Sequence, residues 1–132
     1  MNQSKYSYGK NFRLRSKRDF LYLKSDSGKC STRHITIYFK ESSISASETR
    51  IGQIVSRKVG KAHFRNRLKR ILREDFRLSD HKDEGFDFVV VVVPHLAKNF
   101  SDKAEYENII RRDFKRLLLD ASKRMTKSEQ NK

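Results

Sequence analysis

Long apolar segments are missing from this sequence of 132 residues. A helix that spans a bilayer needs about 17–25 predominantly apolar residues, whereas the longest apolar run here, Phe88 to Pro94, has only the length of a β-strand. The first ten residues, Met1 to Lys10, are polar and contain no apolar stretch of the kind found in a signal peptide. We therefore expect a cytoplasmic protein with no membrane partner.

Cysteine is nearly absent, and patterns typical of metal sites are missing. The single Cys30 has no partner for an internal disulfide or a zinc motif, so we interpret it as a passive residue. The four histidines lack the spacing of metal ligands, and the acids are scattered rather than clustered as a two-metal nuclease requires. No nucleophile–base pair can be recognised. The sequence therefore predicts no catalytic residue and no metal site in this chain.

Acidic residues are few relative to basic ones. Sixteen Asp and Glu stand against 31 Lys and Arg, which gives a formal charge of +15. Because like charges repel one another in the compact state, we expect a polyanionic partner. Nucleic acid is the leading candidate, and an anionic membrane surface is the rival, which the lack of long apolar segments disfavours. The length fits one RNA-binding domain over residues 1–132, with flexible tails at about 1–12 and 124–132.

Hydrophobic periodicity predicts an α+β fold, a single-domain sandwich of the order α-β-β-β-α-β-α. An additional early strand is expected between 41 and 50, unless the strand at 35–39 is longer than its pattern indicates. The strand at 87–93 lacks alternation, which indicates a central strand covered on both faces. The predicted elements are a helix at about 17–24, strands at 33–39 and 51–55, a helix at about 62–77, a strand at 87–93 and a helix at about 102–123.

The helix predicted at 62–77 has two chemically different faces when it is drawn on a wheel of about 100° per residue. Five cations precede its first acid, whereas an ordinary surface helix mixes the two signs. Arginine, whose planar fork suits phosphate, outnumbers lysine, so we favour nucleic-acid contact over a merely solvated face. The apolar arc holds Phe64, Leu68, Ile71, Leu72 and Phe76, the opposite arc holds Asn66, Lys69, Arg70, Arg73 and Arg77, and Arg65 and Arg67 lie on the flanks.

Two adjoining motifs resemble the signature of the bacterial ribonuclease P protein component. They are Ser56-Arg57-Lys58-Val59-Gly60-Lys61-Ala62 and Arg65-Asn66-Arg67-Leu68-Lys69-Arg70. The resemblance extends over about residues 12–120. It includes Leu14-Arg15, Asp19-Phe20, the stretch from Arg33 to Tyr38, Asp87 with its apolar strand, and the closing helix.

The resemblance implies a subunit of the ribonuclease P endoribonuclease, in which a catalytic RNA removes the 5′ leader of precursor tRNA with Mg²⁺ ions. The protein would bind that RNA, one protein per RNA, and would hold the leader. The family fold carries the basic helix in a left-handed crossover, an exception to the usual right-handed rule. Two other hypotheses stay open. The arginine-asparagine-arginine motif disfavours a structural, ribosomal-type RNA-binding protein, and the missing metal ligands disfavour a self-sufficient nuclease.

The resemblance also implies which residues bind each RNA. Phe20 and Tyr38 would line the leader cleft, where aromatic rings give bases a stacking platform. Core packing is the alternative for Phe20, whereas the position of Tyr38 on the polar side of an alternating strand favours the cleft. Lys24 replaces a second aromatic, and Val93 replaces an arginine, which puts those two contacts in doubt. The RNA subunit would be bound by Arg57, Lys58, Lys61, Arg65, Asn66, Arg67, Lys69, Arg70 and Arg73.

Overall fold

A computed structural model of the chain describes residues 27–42, 49–94 and 96–130, with only the backbone for 126–130. Short 3-10 helices precede each of the two described helices, at Arg57–Val59 and Ala97–Asn99. The helix predicted at 17–24 lies outside the described residues. The main elements are β1 (Gly28–Ser31), β2 (Ile35–Glu41), β3 (Arg50–Ile54), α1 (Ala62–Arg77), β4 (Phe86–Val92) and α2 (Lys103–Gln130).

The four strands form one sheet in the order β1-β2-β4-β3. β2 pairs antiparallel with β1 and with β4, whereas β3 pairs parallel with β4. The chain therefore crosses over between β3 and β4, and α1 lies in that connection. The predicted α+β single domain is confirmed, with a four-stranded sheet and two described helices. The left-handed sense of the crossover stays a prediction.

The core lies between the two helices and one face of the sheet. Alternation in β2 buries Ile35, Ile37 and Phe39 on that face, as the pattern predicted. The five residues of the apolar arc of α1 are all buried, and four of them, Phe64, Leu68, Leu72 and Phe76, belong to this core. β4 lies between β2 and β3 and is almost entirely buried, which confirms the interpretation of its unbroken apolar run as a central strand. The cations of α1 are thereby left on the outer side.

The early strand and the end of α2 differ most from the sequence prediction, and the other bounds shift by at most two residues. The additional early strand is β1, which precedes β2, and β2 itself continues to Glu41; most of the segment where we had expected that strand, 43–48, lies outside the described residues. α2 continues to Gln130 rather than ending near Lys123. Met125 packs against the core and extends the apolar stripe beyond Ala121, which explains the longer helix. The flexibility expected for 124–132 stays a prediction.

Candidate nucleic-acid interface

The approach to α1 is a short basic segment anchored by one buried side chain. Arg57 and Lys58 are exposed on the 3-10 helix, whereas Val59 is buried and its amide donates to the carbonyl of Ser56 at 3.0 Å. Gly60 follows in extended backbone. A Cβ atom at Gly60 would lie 2.9 Å from Cδ2 of Phe64, so the close approach of this ring requires glycine. The buried Val59 and Phe64 therefore hold the basic segment against the core.

α1 begins without acidic residues near its positive end. Its N-cap residue, Lys61, makes no side-chain capping bond, and the first turn contains no Asp or Glu. The helix dipole contributes partial positive charge at this end, so it adds to the charge of the nearby side chains instead of being neutralised. This arrangement favours a negatively charged group next to the start of α1.

The outer face of α1 carries the predicted RNA-binding residues. α1 presents its apolar arc to the core and leaves its cations outside it, while Arg57, Lys58 and Lys61 come just before the helix. Arg70 and Arg73 line a shallow depression together with Glu74 and Arg77. Arg57, Lys58, Lys61, Asn66, Arg67 and Arg70 are exposed, and Arg65, Lys69 and Arg73 are half-buried.

Both arginines of the arginine-asparagine-arginine motif are held in place. Nε of Arg65 donates to the carbonyl of Gly60 at 3.1 Å, which leaves its terminal nitrogens oriented but available as donors. Arg67 donates from Nε and Nη2 to the two carboxylate oxygens of Glu107 on α2. The hydrogen bond that Arg67 donates to Glu107, followed by the negative charge of this carboxylate, raises the pKa of Arg67. The side chain of Arg67 nevertheless remains 54% exposed, against 11% for Glu107.

Sequence reasoning missed Glu107. The pair joins residues 40 positions apart, and nothing in the local sequence around Glu107 marks it as a partner of α1. Its only signal is that an acid at the edge of an apolar helical stripe needs a counter-charge when it is buried. That signal does not identify which of the 31 basic residues supplies the charge.

Tyr38 lies on the sheet face that α1 does not cover. Gln53 donates to the backbone carbonyl of Lys69 on α1 at 2.8 Å, so α1 lies on the side of Gln53. Gln53 is in register with Val90, and Val90 is in register with Ile37. Tyr38 follows Ile37 and therefore points to the opposite face.

The surroundings of Tyr38 combine a ring, a cation and a position without a side chain. Lys29, Tyr38, Val89 and Gly52 form one row across the four strands. The ammonium of Lys29 lies 5.7 Å from the centroid of the half-buried Tyr38 ring, which is within cation–π range. Lys29 was not predicted as a site residue, because β1 was not recognised from the sequence.

The next row of this face contains a buried ion pair. Nε and Nη2 of Arg50 donate to the two oxygens of Asp87 at 3.0 and 2.7 Å, and Lys40 is in register with Asp87 on the neighbouring strand. This two-point ion pair between Arg50 and Asp87 holds β3 against β4, one row away from Tyr38 on the same face. Phe20 and Lys24 lie outside the described residues. Val93 is half-buried just after β4, where its amide donates to the carbonyl of His34 at 2.8 Å.

A sequence model of the family described as Ribonuclease P matches residues 8–122. The chain belongs to the ribonuclease P protein family. Similar proteins include the ribonuclease P protein component of Thermotoga petrophila, with 38% identity over 71% of this chain and 80% of the relative. The component from Haemophilus influenzae is 31% identical over 90% of this chain and 98% of the relative. The solved RNase P protein of Thermotoga maritima superposes with a TM-score of 0.65 and 32% identity, and covers 80% of this chain and 94% of that one.

Membership of the ribonuclease P family gives the chain a place in an endoribonuclease complex that processes tRNA, with the RNase P RNA as its partner. No helix in the described part of the chain combines the length and the apolar character needed to cross a membrane. Within residues 27–42, 49–94 and 96–125, no group of three or more His, Cys, Asp and Glu side chains is arranged to hold a metal ion.

Cys30 is buried in the core of this ribonuclease P protein. Its thiol donates to the carbonyl of Leu117 at 3.6 Å. Burial is the main cause that raises the pKa of Cys30 to about 11, and the charge of Asp120 adds to it. Since the thiolate is the reactive form, the raised pKa agrees with a passive role.

Proposed function

We propose that this chain binds the RNase P RNA through the outer face of α1 and the 5′ leader of precursor tRNA through the sheet face that carries Tyr38. By joining the two RNAs it assists the endonucleolytic removal of the leader, while the RNA subunit performs the catalysis. The observation that carries this proposal is the position of the α1 cations and of Tyr38 on two different sides of the sheet. One domain can therefore contact two RNAs at once.

The outer face of α1 suits a folded phosphate backbone. Arginine can donate two parallel hydrogen bonds to one phosphate, and charge-assisted bonds of this kind are stronger than neutral ones. Arg65 and Arg67 are already oriented by Gly60 and Glu107 in the free protein. Because less side-chain freedom is lost on binding, oriented arginines give a tighter complex than mobile ones.

The Tyr38 face suits a single strand. The ring offers a stacking surface that any base can use, and Lys29 beside it can follow the backbone. This chemistry is tolerant of sequence, as a protein that meets many different leaders needs. Phe20 is proposed as a second ring in the same cleft.

We assign the Mg²⁺ ions of the reaction to the RNA. The described residues of the protein include no ligand set that fits a metal ion. The protein contributes positive charge and positioning, which lower the repulsion between the two RNAs. One protein per RNA, acting in the cytoplasm, completes the proposal.

The test is cleavage of a precursor tRNA at low Mg²⁺ with the RNA subunit alone, with the protein alone and with both. We expect efficient cleavage only when both are present. Cleavage by the protein alone would show a self-sufficient nuclease. Binding to the RNA subunit without any stimulation of cleavage would show a structural RNA-binding protein.

A further inference from the structure

A groove of about 890 Å³ runs between the C-terminal half of α1 and the middle of α2. This volume lies within the range of about 300–1,000 Å³ that is usual for ligand-binding clefts. None of the residues predicted to bind the RNA subunit or the leader lines it. Asp75, Leu78 and His81 contribute from the side of α1 and the loop after it, and Phe114 and Leu118 form the base on α2.

The floor of the groove is apolar and open. Leu78 is 54% exposed and Leu119 is 45% exposed, and both line the groove. They are two of the three large apolar side chains that are exposed in the described part of the chain; Ile54 is the third. Single exposed apolar residues are ordinary, whereas these two share one concave surface and offer apolar contact to a ligand there.

The α2 side of the groove is cationic. Arg111, Arg112, Lys115 and Arg116 line it, and all four are exposed. Arg111 is paired with Asp75 at 3.3 Å, and Arg112 lies 3.3 Å from Asp113. Among the residues that the structure describes, no carboxylate lies within ion-pair distance of Lys115 or Arg116, although the charge of Lys115 also acts on Asp75. Asp80 is the remaining acid of the lining, so the rim keeps an excess of positive charge.

We propose that this groove is a second RNA-binding site, which takes an unpaired stretch of RNA with its bases on Leu78 and Leu119 and its phosphates on Lys115 and Arg116. The inference rests on the proposed function and extends the RNA contact beyond α1. Double-stranded RNA offers phosphates and hydroxyls at its surface but keeps its base faces stacked inside. An apolar floor therefore favours a single strand.

The position of the groove favours RNA over a protein segment. Arg67–Glu107 and Arg111–Asp75 tie α1 to α2 side by side, so RNA held on the outer face of α1 lies next to the groove. A neighbouring segment of the same RNA then reaches the groove at a high effective concentration. A protein segment with acidic side chains would also match the positive charge of the groove, but it would have to compete with this tethered RNA segment.

The first experiment measures the affinity of the full chain for RNase P RNA as a function of salt. The variant Lys115→Gln/Arg116→Gln removes two rim charges. The matched control, Arg33→Gln/Lys98→Gln, removes one Arg and one Lys that are exposed and do not line the groove. We expect the rim variant to lower the salt slope by about 1.4, because each phosphate contact with a single strand contributes about 0.7. Equal salt slopes for the rim variant and the control would overturn the proposal. An acidic protein segment would then be the occupant to test.

The second experiment identifies the RNA segment directly. An iron chelate attached to a Leu119→Cys variant should cleave RNase P RNA in an unpaired region. Cys30 is buried, so the chain without the substitution provides the background. A chelate attached to a Lys98→Cys variant provides a distant control. Cleavage confined to duplex, or no cleavage above background, would contradict the single-strand site.

The failure of this inference and of the proposed function give different results. If the unmodified chain does not bind RNase P RNA, the proposed function fails. A second outcome is that the chain binds RNase P RNA, that Arg65→Ala weakens the complex, and that the rim variant behaves like its control. In that case the RNA site on α1 is retained and only the RNA site in the groove is rejected.

Discussion

Arg67 of α1 and Glu107 of α2 form a two-point ion pair, in which Nε and Nη2 of the arginine donate to both oxygens of the carboxylate. The glutamate is buried and the arginine is half exposed, so the pair joins the packing of the two helices to the proposed RNA surface. A residue in the second helix thereby sets the orientation of a motif arginine in the first.

Glu107→Gln should weaken binding to RNase P RNA even though it raises the net charge by one. The amide keeps the shape of the carboxylate but loses its charge, so Arg67 is no longer held by a charged fork. The midpoint of urea unfolding should fall as well. Glu105→Gln is the control, since this exposed acid lies two residues earlier and makes the same change in charge. Tighter binding by both variants would mean that charge alone governs the interaction and that orientation of Arg67 is irrelevant.

Gly60→Ala should lower the free energy of unfolding by about 1–3 kcal/mol, the usual cost of forcing an extra carbon into a packed site. The added Cβ would lie 2.9 Å from the Phe64 ring. Chemical unfolding of the single variant measures this cost. The same substitution in a Phe64→Leu background should be less destabilising than in the native chain, because the smaller side chain relieves the clash. Equal costs in the two backgrounds would rule out the contact with the ring as the cause.

Arg65→Ala should lower the salt slope of RNA-subunit binding by about 0.7–0.9, the contribution of one phosphate contact. Arg65→Lys should retain the slope but lose affinity, because lysine cannot reproduce the oriented fork that the bond to Gly60 provides. Filter binding across a salt series measures both quantities. An unchanged slope for Arg65→Ala in a correctly folded protein would exclude a phosphate contact at this residue.

Tyr38→Ala should reduce affinity for precursor tRNA by about 1–3 kcal/mol, the range for one stacked base. Tyr38→Phe keeps the ring and should bind nearly as well as the native chain. The comparison is made between precursor tRNA and mature tRNA, each bound to the assembled complex. If Tyr38→Ala lowers the affinity for mature tRNA by the same factor as the affinity for precursor tRNA, the residue has no specific role toward the leader.

Local pattern was enough to predict α1 and the central strand. The apolar arc of α1 repeats at helical spacing, and the 16-residue helix has the bounds that were predicted, 62–77. β4 could be recognised because a strand buried on both faces needs no alternation. In contrast, β1 has four residues, of which only Cys30 is buried, so it carries no pattern of its own. The segment forms a strand because it pairs with β2.

The candidate site likewise has some features that local sequence pattern predicts and others that it does not. The cations of α1 and their separation from the apolar arc follow from helical periodicity, and Tyr38 could be placed on the polar side of its strand because side chains alternate. The roles of Lys29, Glu107 and the groove could not be predicted, since each depends on residues that are distant in the chain and become neighbours only after packing.

The amino-acid sequence by itself determined the excess of positive charge, its concentration on one face of α1 and the family resemblance, because these depend on composition and short-range spacing. Only the tertiary structure decided that Tyr38 lies on the face opposite α1, that Glu107 holds Arg67, and that α1 and α2 leave an apolar groove with a cationic rim. The physical reason is that helix–helix and helix–sheet packing is set by the shape of the whole core, and no local segment contains that information.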